Sequence, residues 1–280
     1  MARITPVEIR QRKETGPKLT MLTAYDFSFA RLIDDCDIDM ILVGDSLGMV
    51  VLGYESTVPV TMEDMLHHCK AVSRAVKRAM VIGDMPFMSY QISPEKTLEN
   101  AGRFLKEAGC DAVKLEGGVN VARTIERLVR AGIPVMGHVG LTPQTASSLG
   151  GFKVQGKDLD DAKKIYHDAI AVAESGAFSI VLECVPSELA GLITESLPIP
   201  TIGIGAGPKC DGQVLVTNDM IGLFDKFTPK FVKKYINLSS EIKRAFSLYK
   251  REVEAGEFPS NKESFSGGEE AVLAIKSIKK

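Results

Sequence analysis

Acidic and polar side chains recur at the ends of short apolar runs, and their types point to chemistry on a small, oxygen-rich substrate. Gly44-Asp45-Ser46-Leu47-Gly48 follows one such run, Gly83-Asp84-Met85-Pro86-Phe87 the next, and Lys114-Leu115-Glu116-Gly117-Gly118 closes a third. Further on come Gly137-His138-Val139-Gly140-Leu141-Thr142-Pro143-Gln144 and Glu183-Cys184-Val185-Pro186. Brought together, Asp45, Asp84 and Glu116 would crowd negative charge, which costs free energy unless a cation or protons compensate it. Oxygen ligands without a Cys/His set favour Mg²⁺ or a similar hard ion, which keeps open positions for water and substrate oxygens. The competing reading for each Asp is a cap on the helix or turn that follows.

Glu183 follows three apolar residues. Low-dielectric packing around its stem is expected to raise its pKa towards the range of a general base. The alternative is an ion pair with Lys114 across the site, and the two are compatible because a lysine can alternate between Glu183 and a substrate carboxylate. His138 stands between Gly137 and Gly140, which would let a ligand approach the backbone, so it is a candidate substrate contact. A hydrogen-bonded core histidine is the alternative. His67-His68 reads as surface, and Gly203-Ile204-Gly205-Ala206-Gly207, opening on Pro208 instead of a helix, reads as a tight turn and not a dinucleotide site.

Such residues converge only if the elements beneath them bring the run ends to one face. The runs Leu19–Leu22, Met40–Val43, Met80–Gly83, Ala112–Leu115, Pro134–Gly137, Ser179–Leu182, Thr201–Ile204 and Val214–Thr217 are read as strands. Several are apolar at consecutive positions, as parallel strands covered on both faces require. Between them lie helices with start signals at Thr61/Asp64 and Ser93-Pro94-Glu95, and with glycines at Gly109, Gly132 and Gly176 where a helix must stop. This βα alternation predicts an α/β (β/α)8 barrel, whose strands end at one active-site face. The gap between the last two strands is too short for a crossover helix. Thr5-Pro6-Val7-Glu8 predicts an N-terminal capped helix that plugs the barrel floor. Leu238, Ile242, Phe246, Tyr249 and Val253 predict an amphipathic C-terminal helix against the core or a partner subunit. Residues 1–256 are thus read as one barrel domain and 257–280 as a polar, loosely held tail.

Composition narrows the functions. The chain has 280 residues, 45% hydrophobic and 25% charged, with a formal charge of −2. Near-neutrality gives no pull towards nucleic acid or anionic lipid, so small-molecule partners are expected. Its five cysteines lack any C-x-x-C pair. They read as reduced thiols; with no leader-like or membrane-spanning run, a cytoplasmic protein is expected.

The blocks Thr23-Ala24-Tyr25-Asp26, Val43–Gly48, Gly83–Phe87, Lys114–Gly118, Gly137–Gln144 and Ile202–Val216 occur together in an order that resembles the ketopantoate hydroxymethyltransferases. The resemblance covers most of the chain and implies a barrel of the phosphoenolpyruvate/pyruvate type. It further implies Mg²⁺, one per subunit, on Asp45, Asp84 and Glu116, and 3-methyl-2-oxobutanoate on Asp45, Ser46, Asp84 and Lys114, with His138 as a further pocket residue. Glu183 would be the proton acceptor. The implied reaction uses a Mg²⁺-stabilised enolate and 5,10-methylenetetrahydrofolate as co-substrate, giving 2-dehydropantoate and tetrahydrofolate in coenzyme A biosynthesis. The family forms homo-oligomers, commonly decamers. The sequence departs from the family pattern at Asn218, where many members carry His, and in its tail after Phe265. Two other readings remain at this level: an isocitrate-lyase-like C–C lyase on a 2-oxo acid, which would need a catalytic cysteine in a rim loop, and a non-catalytic, metal-stabilised binding module.

Overall fold

A computed structural model describes residues 2–147, 150–224 and 227–278. Its strands are β1 (Leu19–Thr23), β2 (Met40–Val43), β3 (Met80–Asp84), β4 (Ala112–Lys114), β5 (Val135–Gly140), β6 (Ser179–Glu183), β7 (Thr201–Ile204) and β8 (Gly212–Leu215). All pair in parallel with their neighbours in chain order, and β8 closes on β1.

The two-residue period of a strand explains both layers. Met21, Met40, Leu42, Met80, Ile82, Ala112, Met136, Val181, Ile202 and Val214 form the lower barrel interior, joined by Leu19 and by Ile9 from α1 (Pro6–Gln11). Thr5 and Glu8 form the anticipated capping box, so α1 is the expected plug. The alternate residues, among them Val81, Val113, Val135, Ile180 and Leu182, face outward into a second core with the helices. Close approach matters at two points: a Cβ on Gly83 would lie 2.3 Å from Phe104, and one on Gly137 2.3 Å from Val172. Glycine there lets α5 (Pro94–Lys106) and α7 (Leu159–Glu174) sit directly on β3 and β5.

The remaining barrel helices are α2 (Phe27–Asp35), the single turn α3 (Leu47–Val50), α4 (Met62–Ala75), α6 (Ala122–Arg130) and α8 (Ser187–Ser196). Thr61 and Ser93 cap α4 and α5 as their sequences require, and Gly109, Gly132 and Gly176 all have positive φ. As expected, no helix joins β7 to β8. The last strand starts two residues before the expected Val214, because Gly212 and Gln213 pair with β1 and β7 through backbone alone.

After a short α9 (Thr217–Met220) come α10 (Leu238–Glu254) and α11 (Glu269–Ile278), neither of which buries a residue within the chain. The structure refines two expectations here. Of the two covers expected for the amphipathic helix, the core or a partner subunit, the first leaves every residue half-buried or exposed, and the segment read as a loose polar tail contains α11, whose Val272, Leu273, Ile275 and Ile278 stand exposed. Among the described residues no helix is long and apolar enough to cross a membrane.

Candidate active site

Extending the inward rows of the barrel by one layer reaches the polar residues. Above Ile82 comes Asp84, above Ala112 Lys114, above Met136 His138 and above Val181 Glu183. Asp45 and Glu116 lie just beyond β2 and β4. These six side chains, with Ser46 and Thr23, line a cavity of about 100 Å³ at the carboxyl ends of the strands. Asp45, Asp84, Lys114, Glu116 and His138 are each no more than 5% exposed.

Their contacts form one network. Lys114 Nζ donates to both oxygens of Asp84, at 2.7 and 2.9 Å, and stands 3.9 Å from Glu116 Oε1. The Asp45 N–H points at Asp84 Oδ2, 3.3 Å away. His138 lies between two carboxylates, Nδ1 3.5 Å from Glu116 Oε1 and Nε2 3.2 Å from Glu183 Oε2. Ser46 Oγ is 2.9 Å from the Tyr25 hydroxyl. Gln144, in the loop after β5, ties three strands together. Its Nε2 donates to Asp45 Oδ2 and to the Met85 carbonyl, both at 2.9 Å, and its N–H donates to Glu116 Oε2 at 3.1 Å. The Tyr90 hydroxyl in turn donates to Gln144 Oε1 at 2.7 Å.

Four carboxylates thus face two cations in a place poor in water. Burial, followed by the charges of Asp84 and Glu116, pushes Asp45 well above the usual carboxylate range. Burial also raises Asp84, against the pull of Lys114. Burial opposes the charge on Lys114, but Asp84, Glu116 and Asp45 outweigh it and keep the amine protonated. Glu116, although buried, is held below its ordinary value by His138 and Lys114. Burial and Lys114 disfavour a charged His138, yet Glu116 and Glu183 raise it to about 9. The cluster therefore carries a deficit of positive charge, since unbalanced buried carboxylates are costly.

That deficit is one observation in favour of a hard cation; the other is Glu116 Oε1, a buried oxygen without a hydrogen bond. The three carboxylates supply only oxygen donors, which suits Mg²⁺. Among the described residues no three such donors already surround a single point. Lys114 stands where it spans Asp84, so the donor chemistry and charge fit the ion while the present spacing fits the lysine.

Most expectations for the site are met in space: Asp45, Ser46, Asp84, Lys114, Glu116, His138 and Glu183 share one cavity. One changes. The partner of Glu183 is His138 and not Lys114, because Lys114 is held by Asp84, its register neighbour on β3. His138 is accordingly both buried in the core and a member of the site. Gln144 was visible only as the end of the Gly137–Gln144 block, and Tyr90 carried no signal; each acts through loops whose course no periodicity reveals. His67 is exposed and His68 Nδ1 lies 2.6 Å from the Tyr25 carbonyl, so the pair forms no metal site. Cys184, the cysteine at this rim, is a poor nucleophile because burial and then Glu183 push its thiol up to about 12. The cysteine-dependent lyase reading loses its key residue.

Comparison with known proteins shows the family. Residues 3–261 match the family described as ketopantoate hydroxymethyltransferase. The chain is 59% identical over 275 residues to the 3-methyl-2-oxobutanoate hydroxymethyltransferase of Carboxydothermus hydrogenoformans, covering 98% of this chain and 100% of the relative. It is 58% identical over 272 residues to the enzyme of the same name from Syntrophomonas wolfei, covering 97% and 99%. An alignment of that length runs into the tail after Phe265, which is therefore shared and not peculiar to this chain. In fold the chain resembles the phosphoenolpyruvate phosphomutase of Streptomyces platensis subsp. rosaceus, with a TM-score of 0.62 at 14% identity over 99% of this chain and 96% of that one. The likeness is one of fold, and the chain belongs to the ketopantoate hydroxymethyltransferase family.

Proposed function

We propose that this protein joins the one-carbon unit of 5,10-methylenetetrahydrofolate, with water, to C3 of 3-methyl-2-oxobutanoate, giving 2-dehydropantoate and tetrahydrofolate for pantothenate synthesis. The observation that carries this reading is the inward ring of Asp84, Lys114, His138 and Glu183 over a cavity sized for a small keto acid. Asp45, Asp84 and Glu116 would hold one Mg²⁺ per subunit. The chemistry such an ion supplies is withdrawal of charge from a 2-oxo acid, which makes the adjacent C–H more acidic.

The chain's own residues do the rest. Glu183, with its side chain 15% exposed at the cavity edge, is placed to take the C3 proton. His138 faces that carboxylate through Nε2 and Glu116 through Nδ1, so Glu116 orients the imidazole that fixes the direction in which the base points. Lys114, kept protonated by its acidic neighbours, balances the substrate carboxylate and the negative charge that develops as the proton leaves. Gln144 and Tyr90 close the loop over the acids and exclude water from them. We place the protein in the cytoplasm as a homo-oligomer, a decamer on the family's pattern, consistent with the uncovered apolar face of α10.

Proton NMR of 3-methyl-2-oxobutanoate in deuterated water tests the chemistry. With Mg²⁺ and without folate, the C3 proton is expected to exchange, and a chelator is expected to stop it. Absence of exchange both with and without folate would overturn the reading in favour of a binding module.

A further inference from the structure

A second, larger cleft of about 650 Å³ lies beside the acid cavity, and Glu116 borders both. It is lined by Phe87 and Tyr90 from the loop after β3, by Val119 from the segment after β4, by Lys164 and Asp168 of α7, and by Gly140 at the inner end, where β5 stops. This size is that of a ligand pocket, whereas the acid cavity has room for little beyond a five-carbon keto acid. The inner end reaches the reacting centre: Gly140 is the register partner of Glu183, and the Leu141 N–H donates to the Glu183 carbonyl at 2.9 Å.

The walls have the chemistry of a site for a flat, partly apolar, partly anionic molecule. Phe87, Val119 and Ile165 offer apolar surface, and Val119 is 60% exposed. That valine is nonetheless held firmly, because its N–H donates to buried Asp168 at 2.9 Å. Asp168 also accepts from Lys164 at 2.7 Å, while the lysine side chain remains 74% exposed and able to meet a carboxylate at the cleft mouth. An apolar side chain fixed at the edge of a concave surface presents contact area that costs little entropy to use.

We propose that this cleft receives the pterin and aminobenzoyl rings of the one-carbon donor, with its reactive methylene directed towards Gly140 and Glu183 and its glutamyl carboxylate towards Lys164. The inference rests on the transfer reaction proposed above. It assigns the two substrates to two adjoining compartments, the keto acid inside the barrel and the donor between the rim loops and α7, with the new C–C bond forming where they meet.

Two exposed positions that flank Asp168 test it without disturbing the core: Val119→Trp and Lys164→Trp. Each narrows the cleft, and the chain otherwise has no tryptophan, so each also introduces a unique fluorophore. The expected result is a rise of ten-fold or more in KM for methylenetetrahydrofolate, with KM for the keto acid and the folate-free C3 exchange unchanged. Tetrahydrofolate is expected to quench the introduced indole to saturation. An unchanged donor KM with no quench in both variants would overturn the assignment. So would a change in subunit assembly, measured by sedimentation, without a change in donor KM, since the cleft would then belong to an interface between copies. Loss of exchange in the wild-type protein would instead remove the transfer reaction itself, a failure distinct from wild-type exchange with unaltered donor kinetics in the variants.

Discussion

Glu183 and Gln144 show what single residues contribute and how differently each can be read. Glu183 ends β6, so a sequence pattern that locates the strand also locates the proposed base. Glu183→Gln keeps the shape and removes the proton acceptor. The expected outcome is a fall of about 10²- to 10⁴-fold in kcat, with keto-acid affinity close to that of the wild type, measured by single-turnover kinetics and isothermal titration. An unchanged kcat would remove Glu183 from the role of base. Gln144 lies in a loop, and its importance comes from three partners just beyond different strands that no spacing predicts. Gln144→Leu removes the donor to Asp45 and takes the nearer acceptor from the Tyr90 hydroxyl, leaving it the Glu116 carbonyl at 3.2 Å. Mg²⁺ affinity is expected to drop about 10- to 100-fold, read by titration calorimetry with Mg²⁺ alone. Asp84→Ala differs from both, because it leaves the buried Lys114 ammonium without its main partner. About 3–5 kcal/mol of stability is expected to go, measured by urea unfolding, together with Mg²⁺ and keto-acid binding.

At the scale of elements, the run of apolar residues gave the existence and order of every strand, and the errors fell at their ends. β3 and β6 each continue one residue further than their apolar runs, to Asp84 and Glu183, because the inward row changes from hydrocarbon to charge where the core gives way to the site. Hydrophobicity cannot mark that boundary, and it is where function begins. A long-range tie escaped the reading for a related reason. Asp34, at the end of α2, accepts from the N–H groups of Lys77, Arg78 and Ala79 at 2.8, 3.1 and 2.7 Å, fastening that helix to the approach to β3. Burial opposes its ionisation, but these backbone donors hold its pKa below the ordinary 3.8. A lowered carboxylate pKa adds stability above the unfolded value and loses it as pH falls through the folded one. Asp34→Ala is therefore expected to lower stability by about 2–4 kcal/mol at neutral pH, with the difference from wild type shrinking below pH 3.8. Chemical denaturation at the two pH values checks it; a difference independent of pH would mean that packing, and not the charge, makes the tie.

For the whole molecule, the decisive feature is a helix without a floor. The spacing of Leu238, Ile242, Phe246, Tyr249 and Val253 announces an amphipathic α10, and the helix forms as expected, yet it buries none of its residues within the chain. Phe246 is 70% exposed and Tyr249 59%, and the Tyr249 ring meets Phe258 edge-on at 5.7 Å between centroids. The periodicity could state that one face seeks cover but not whose surface provides it, because that surface need not be in the same chain. A helix of this length draws most of its stability from packing and not from intrinsic propensity. Left uncovered, its apolar stripe would also be an aggregation hazard. A second copy of the chain resolves both difficulties, in keeping with the homo-oligomer proposed above. Phe246→Glu places a charge in the middle of the stripe while leaving the barrel untouched. Sedimentation velocity is expected to show a smaller assembly than the wild type at equal concentration, with circular dichroism of the barrel preserved. An assembly of unchanged size would assign the contact to another surface. The acid residues that line the cavity all stand at this chain's own strand ends, so the C3 exchange of dissociated subunits is expected to survive where the stripe is broken.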